Sequence, residues 1–170
     1  MVVPVIILVV SLFLDGILSN FFPYVVGNLS LFTPMFTIVS LVVVYPFFIK
    51  KIKFYFISCF ILGIVYDFMY TNLLFYNAIF FLGLAVIIMF LYRNIRLTWI
   101  SILLFISLTI VSYECMNAII ILIFQLVPMT FYRLLYKILH SLLLNLLYGE
   151  VLYFVIRLLP KKYKRISINS

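Results

Sequence analysis

Residues 54–73 read FYFISCFILGIVYDFMYTNL, and this stretch decides the fold. From Phe54 to Tyr70 the only charge is Asp67; Lys50, Lys51 and Lys53 stand just upstream, and Thr71 to Leu73 carry no charge at all. As an α-helix the run is about 25 Å long, close to the roughly 30 Å of a bilayer's hydrocarbon core. A run basic at one end and bare at the other reads as a membrane helix whose lysines stay cytoplasmic. Its single carboxylate then lies near the outer end.

The rest of the chain repeats the pattern. Of its 170 residues, 68% are hydrophobic and 9% charged, and the mean hydropathy is +1.36, far outside the range of soluble globular domains. Charges and turn residues divide it into apolar runs at Val2 to Phe22, Pro34 to Ile49, Phe54 to Tyr70, Leu74 to Tyr92, Leu97 to Leu126 and Leu134 to Leu159. The expected architecture is an all-α polytopic membrane protein, a six-helix transmembrane bundle. One domain covers residues 1–159, and 160–170 form a basic cytoplasmic tail. The second and third runs are short for a crossing, while the fifth is long enough to tilt.

With six crossings, Lys50, Lys51, Lys53, Arg93, Arg96, Arg157, Lys161, Lys162, Lys164 and Arg165 all fall on one side. Only Arg133 and Lys137 fall on the other. The connectors around Pro23 to Thr33 and Thr71 to Leu73 are uncharged, which places both termini inside. The net charge of +8 therefore sits in juxtamembrane clusters suited to retention and anionic lipid, and nucleic acid is not an expected partner. The first run lacks a basic n-region and a cleavage site, so it is expected to remain as a helix. Cys59 and Cys115 lie in different runs and read as small core residues.

All four acids, Asp15, Asp67, Glu114 and Glu150, lie inside predicted spans. A carboxylate in hydrocarbon costs several kcal/mol unless it is paired or hydrogen-bonded, so these residues mark the inward faces. Counted from the cytoplasmic ends, Asp15, Asp67 and Glu114 sit about 20, 21 and 27 Å along their helices. The sixth helix brings Lys137 and His140 to similar depth and Glu150 toward the inner half. The expectation is an intramembrane polar network of Asp15, Asp67, Glu114, Lys137, His140, Glu150 and Arg157, in which Lys137, with Arg133, pairs with one or more of Asp15, Asp67 and Glu114. The alternative is that each acid is satisfied separately by Ser, Asn or Tyr neighbours. Helical spacing aligns Ser11, Asp15 and Ser19; Gly63, Asp67 and Tyr70; Ser107, Glu114 and Asn117; and Ser141, Asn145, Gly149, Tyr153 and Arg157. Glu150 shares a face with Arg157 two turns away.

Enzymatic chemistry has little to work with. His140 is the one histidine, which removes two-histidine metal motifs. No G-x-S-x-G elbow and no phosphate-binding glycine loop occurs. No cofactor is expected, since the aromatic residues spread over every run instead of converging, and Tyr92 and Trp99 flank Arg93 and Arg96 as interfacial anchors would.

The string Gly63, Tyr66, Asp67, Tyr70 at the outer end of the third run resembles the signature of the MreD family, small polytopic proteins of the bacterial rod-shape machinery. Pro34 opening the second run, Glu114 late in the fifth, and Lys137 with Leu144-Asn145-Leu146 in the sixth extend the resemblance over nearly the whole chain. It departs at His140, near where many members have proline, and at Asn77-Ala78, a loose match to a small-residue stretch. The resemblance implies a fold similar to the substrate-binding subunits of energy-coupling vitamin transporters. It also implies a non-enzymatic scaffold in the cell membrane, binding the single-span protein MreC. Through MreC it would serve the elongasome directly or indirectly: MreB filaments, the SEDS glycosyltransferase and the transpeptidase. A homodimer is compatible with it. The other function class is a solute-binding subunit of such a transporter, with Asp15, Asp67 and Glu114 lining an outward cavity. The short connectors Thr71 to Leu73 and Val127 to Arg133 offer little to cap a solute, which favours the scaffold.

Overall fold

A computed structural model describes residues 2–21, 33–71, 73–96, 98–125 and 131–158. Among them every regular element is helical: α1 (Val2–Phe21), α2 (Phe36–Val44), a 3₁₀ segment (Tyr45–Lys51), α3 (Ile52–Tyr70), α4 (Tyr76–Asn94), α5 (Trp99–Ile123) and α6 (Phe131–Leu158). Four helical stretches are long and apolar enough to cross a membrane: Phe36–Tyr70, Tyr76–Asn94, Trp99–Ile123 and Leu134–Leu158. A shorter apolar helix covers Val3–Ser19. The chain is thus an all-helical membrane protein. The basic tail and the connectors at 22–32 and 126–130 lie outside the described residues, as does the Arg133 side chain.

The stretch Phe36–Tyr70 is helical almost without interruption, yet it is not one rod. The Tyr55 hydroxyl donates to the carbonyl of Leu41 at 3.1 Å, 14 residues earlier. In a straight helix those residues stand about 21 Å apart. The chain therefore folds back through the 3₁₀ segment, where Pro46 removes a backbone donor and Lys51 leaves helical geometry at φ −138°, ψ 55°. The expected run from Pro34 to Ile49 consequently forms only nine residues of α-helix before it tightens.

α2 is the axis of the molecule. Each of its residues is buried, whereas its neighbours bury one face and leave Ile17, Phe68, Val86, Leu108 and Leu143 exposed. α1, α5 and α6 surround α2, and α3 packs chiefly on α4. In lipid, apolar contact with neighbours brings no expulsion of water, so close packing and internal hydrogen bonds must hold these helices together. At the basic end Tyr45, Tyr55, Tyr92 and Phe105 interlock, with Tyr92 4.8 Å from Tyr45 and 4.7 Å from Phe105 between ring centres. The Tyr92 hydroxyl donates to the carbonyl of Val42 at 2.9 Å. α5 starts on a capping box in which Thr98 Oγ1 accepts from Ser101 N at 3.2 Å and Ser101 Oγ accepts from Thr98 N at 2.6 Å.

The starts of α2 and α4 are different. Neither Met35 nor Phe75 supplies a side-chain cap, and Phe75 sits in the left-handed region at φ 66°. A helix start leaves four N–H groups without intrahelical partners. Buried in a membrane protein, these donors need acceptors from elsewhere in the fold.

Candidate functional site

Those acceptors are the acids. Asp15, on α1, takes Phe36 N at 2.7 Å on one oxygen, and Thr37 N at 2.9 Å and Thr37 Oγ1 at 2.6 Å on the other. It is 3% exposed, so the charge is held by the first turn of α2 and not by water. A carboxylate at a helix N-terminus satisfies orphan donors and opposes the positive end of the helix dipole. Charge-assisted bonds of this kind contribute about 1.5–3 kcal/mol each.

Asp67, on α3, does the same for α4. Asn77 N lies 3.0 Å from both of its oxygens, Ala78 N 3.4 Å from one, and Asn77 Nδ2 and Thr71 Oγ1 each 2.8 Å from the other. The residues around it make that approach possible. A Cβ on Gly63 would meet the Cα of Ala78, with Ala78 N at 2.7 Å and Asn77 O at 2.8 Å, so only glycine lets the two backbones come this close. Tyr66 packs edge-on against Phe81 of α4 and Tyr70, at 5.6 and 4.8 Å between ring centres. The Tyr70 hydroxyl donates to Leu12 O of α1 at 2.7 Å and lies over Gly16, where a side chain would strike it.

Glu114, on α5, faces Lys137 of α6, with Nζ 2.8 Å from Oε2. The glutamate is fully buried and the lysine side chain 32% exposed. Glu114 Oε1 has no hydrogen-bond partner among the described residues, and among them Lys137 alone answers this charge. The expected network is therefore divided. Lys137 reaches Glu114, while Asp15 and Asp67 are satisfied by backbone and neutral side chains. His140 stands apart as well, its Nδ1 2.8 Å from Tyr136 O on its own helix and its ring against Tyr136. The Ser11, Asp15, Ser19 stripe is also broken, because Ser19 is exposed while Ser11 and Asp15 are buried.

Neutral groups join the three junctions. Asn145 Oδ1 accepts from Met35 N at 2.8 Å, and its Nδ2 donates to Thr33 O at 2.9 Å and Ser141 O at 2.7 Å, tying α6 to the approach to α2. Ser11 and Tyr148 hydroxyls meet at 2.8 Å between α1 and α6. Tyr113 of α5 donates to Asn77 Oδ1 at 2.8 Å, and Tyr76 to Asn117 Oδ1 at 2.6 Å. Thr37, Asn77, Tyr113 and Tyr148 were not singled out by sequence reasoning as members of this layer. A signal existed for the first two: each is a small polar residue in the opening turn of a helix that has no local cap.

All of these contacts lie at the end of the molecule opposite Lys50, Lys51, Lys53 and Arg93. Glu150 and Arg157 belong to the basic end, where with Trp99, Val151, Tyr153, Phe154 and Val155 they line an open groove of about 480 Å³. The polar layer thus does not extend to them, contrary to the single network expected from the sequence. Among the described residues no cluster of His, Cys, Asp and Glu could hold a metal ion, and Cys59 and Cys115 are unpaired, Cys59 in the core.

No protein-family model, curated protein or solved structure matches this chain. Its chemistry has to be read from the geometry. Three odd-numbered helices each carry one acid near the same end, and each acid fastens the next helix in the chain: Asp15 to α2, Asp67 to α4, Glu114 to α6. The arrangement builds a rigid polar layer. In Asp15 and Asp67, both carboxylate oxygens are already occupied.

Proposed function

We propose that the chain is an MreD-like, non-enzymatic scaffold of the bacterial cell-wall elongation machinery. In this reading it crosses the cell membrane six times with both termini cytoplasmic and binds an MreC-like single-span protein. That contact couples MreB filaments inside to peptidoglycan synthesis outside and so maintains cell shape. The observation that carries the reading is the role of the motif residues. Gly63, Tyr66, Asp67 and Tyr70 each hold a junction of α3 with α4 or α1, and the Asp67 carboxylate and the Tyr70 hydroxyl are engaged within the protein. Residues that rigidify a helix bundle suit a protein that presents outer faces to other helices. A solute-binding subunit needs convergent polar groups that remain available to the ligand. The reversal at the 3₁₀ segment is compatible with an even number of spans, and the gathering of Lys and Arg at one end supports cytoplasmic termini.

The test is co-expression with an MreC-like protein of one span followed by a coiled coil. Copurification after detergent extraction, lost when the partner's span is replaced by an unrelated apolar helix, is expected. Thermal stabilisation by a vitamin, with no partner retained, would instead show a solute binder. Labelling a cysteine added after Ser170 checks the topology: reaction in intact cells with an impermeant reagent would reverse it.

A further inference from the structure

The basic end of the molecule cannot neutralise itself. Asp, Glu residues number four in the whole chain; Asp15, Asp67 and Glu114 belong to the opposite end, and only Glu150 stands near this one. Against it the described residues set six exposed cations: Lys50, Lys51 and Lys53 around the reversal, Arg93 and Arg96 between α4 and α5, and Arg157 near the end of α6. The residues outside the described ones contain no acid, and those after Arg157 add Lys161, Lys162, Lys164 and Arg165. The positive excess is therefore a property of the complete sequence and does not depend on which side chains meet.

These cations form one belt. Tyr45 of the 3₁₀ segment lies 4.8 Å from Tyr92, the neighbour of Arg93, and Tyr92 lies 4.7 Å from Phe105 of α5, between ring centres. Trp99, at the start of α5, lines the same groove as Arg157. The reversal, the α4–α5 connector and the end of α6 are thus neighbours. Large apolar side chains are interleaved with the charges. Ile49, Phe54, Trp99 and Ile100 are each more than half exposed, and Lys51 Nζ stands 5.7 Å from the centre of the Phe54 ring. Cations mixed with exposed apolar groups at the ends of membrane helices lie where headgroups meet acyl chains, their stems in hydrocarbon and their charges among the headgroups.

We infer that this belt is a docking surface for anionic phospholipid, a singly negative headgroup such as phosphatidylglycerol, gathered in the leaflet at the basic end. The charge excess selects an anionic headgroup over a zwitterionic one, by about fivefold for each Lys or Arg close to the lipid surface. The interleaved apolar side chains select lipid over an acidic soluble protein. Such a protein meets the charges alone, whereas a phospholipid meets the charges with its phosphate and Ile49, Phe54 and Trp99 with its acyl chains. The inference uses only the membrane setting and the residues of this end, so it stands apart from the scaffold reading and from the side on which the termini lie.

Trp99 is the only tryptophan and stands in the belt, three residues from Arg96, so its fluorescence reports which lipid touches it. The full chain is reconstituted in phosphatidylcholine vesicles carrying a rising fraction of either brominated phosphatidylglycerol or brominated phosphatidylcholine, the bromine quenching Trp99 on contact. At low salt phosphatidylglycerol is expected to occupy the contact about fivefold better than phosphatidylcholine. In about 1 M salt, where the Debye length falls to about 3 Å, the preference is expected to drop below about twofold. R93Q with R96Q is expected to lower the low-salt preference as well; both side chains are exposed, and the salt series on the unaltered chain tests the inference without any variant. Equal quenching by the two lipids at low salt would leave the cations to an acidic protein and overturn the inference. A preference that persists in full at high salt, or undiminished in the double variant, would also overturn it, because it would not arise from these charges.

Discussion

Gly63→Ala adds one methyl group at the closest crossing in the molecule, and its effect follows from the geometry. The new Cβ would lie 2.7 Å from Ala78 N and 2.8 Å from Asn77 O, both backbone atoms that cannot swing aside. Restoring ordinary contact at 3.4 Å requires α3 and α4 to part by at least about 0.7 Å at this level, since Ala78 Cα is nearer still. The same displacement lengthens the 3.0 Å bonds from Asn77 N to Asp67 toward about 3.7 Å, outside hydrogen-bond range. Overpacking costs about 1–3 kcal/mol and a weakened charge-assisted bond about 1.5–3, while the better helix propensity of alanine returns about 1. A net loss of about 1.5–5 kcal/mol is expected. Cys59, fully buried on the same helix, provides the assay: in a C115S background, its reaction with a thiol dye measures opening of α3. If labelling follows that opening, Gly63→Ala is expected to accelerate it by about 10- to 5,000-fold. Gly83→Ala is the control, because its Cβ would meet only the flexible end of Met116 at 3.1 Å. Labelling of Gly63→Ala no faster than wild type, or as fast in Gly83→Ala, would refute the reasoning.

Removing the cation that answers Glu114 should destabilise more than removing both charges. Lys137→Met is expected to lower stability by about 3 kcal/mol, toward the low end for a broken buried pair because the lysine is partly exposed, and Glu114→Gln with Lys137→Met to recover most of it in the same labelling assay. An identical result for the single and double variants would mean that the pair is dispensable. Asp15→Asn turns one of the two oxygens that accept from Phe36 N and Thr37 N into a donor, so amide hydrogen exchange at the start of α2 should rise by one to two orders of magnitude, about 1.5–3 kcal/mol. Unchanged protection there would contradict the capping role. Thr98→Ala removes half of the capping box of α5 and should cost about 1 kcal/mol, read as faster exchange in its first turn alone.

The inward faces were legible because the sequence holds so few acids. Asp15, Asp67 and Glu114, each alone in an apolar run, had to be satisfied inside the protein, and helical rise placed them at similar depth. How each would be satisfied was not legible. Whether Lys137 met Asp15, Asp67 or Glu114 depended on which helices became neighbours, and spacing along one helix carries no information about that. The motif around Asp67 is a case in point. Its glycine and tyrosines could be read as a packing stripe, but that Gly63 admits the backbone of α4, and that Tyr70 reaches Leu12 of α1, required both partners to be in place.

Composition and the order of charges along the sequence determined that this is a helical membrane protein with a basic end and three of its four acids toward the other, since lipid leaves backbone polar groups few other solutions and charge a strong preference for one side. Run lengths also set most helix limits to within a few residues. Tertiary structure decided the rest: that residues 36–70 fold back on themselves, that α2 becomes the buried axis, and that Asp15 and Asp67 cap the helices that follow them while Glu114 pairs with Lys137. The reason is physical. A helix start exposes donors that its own side chains here do not satisfy, and only the approach of a second helix brings the acceptor.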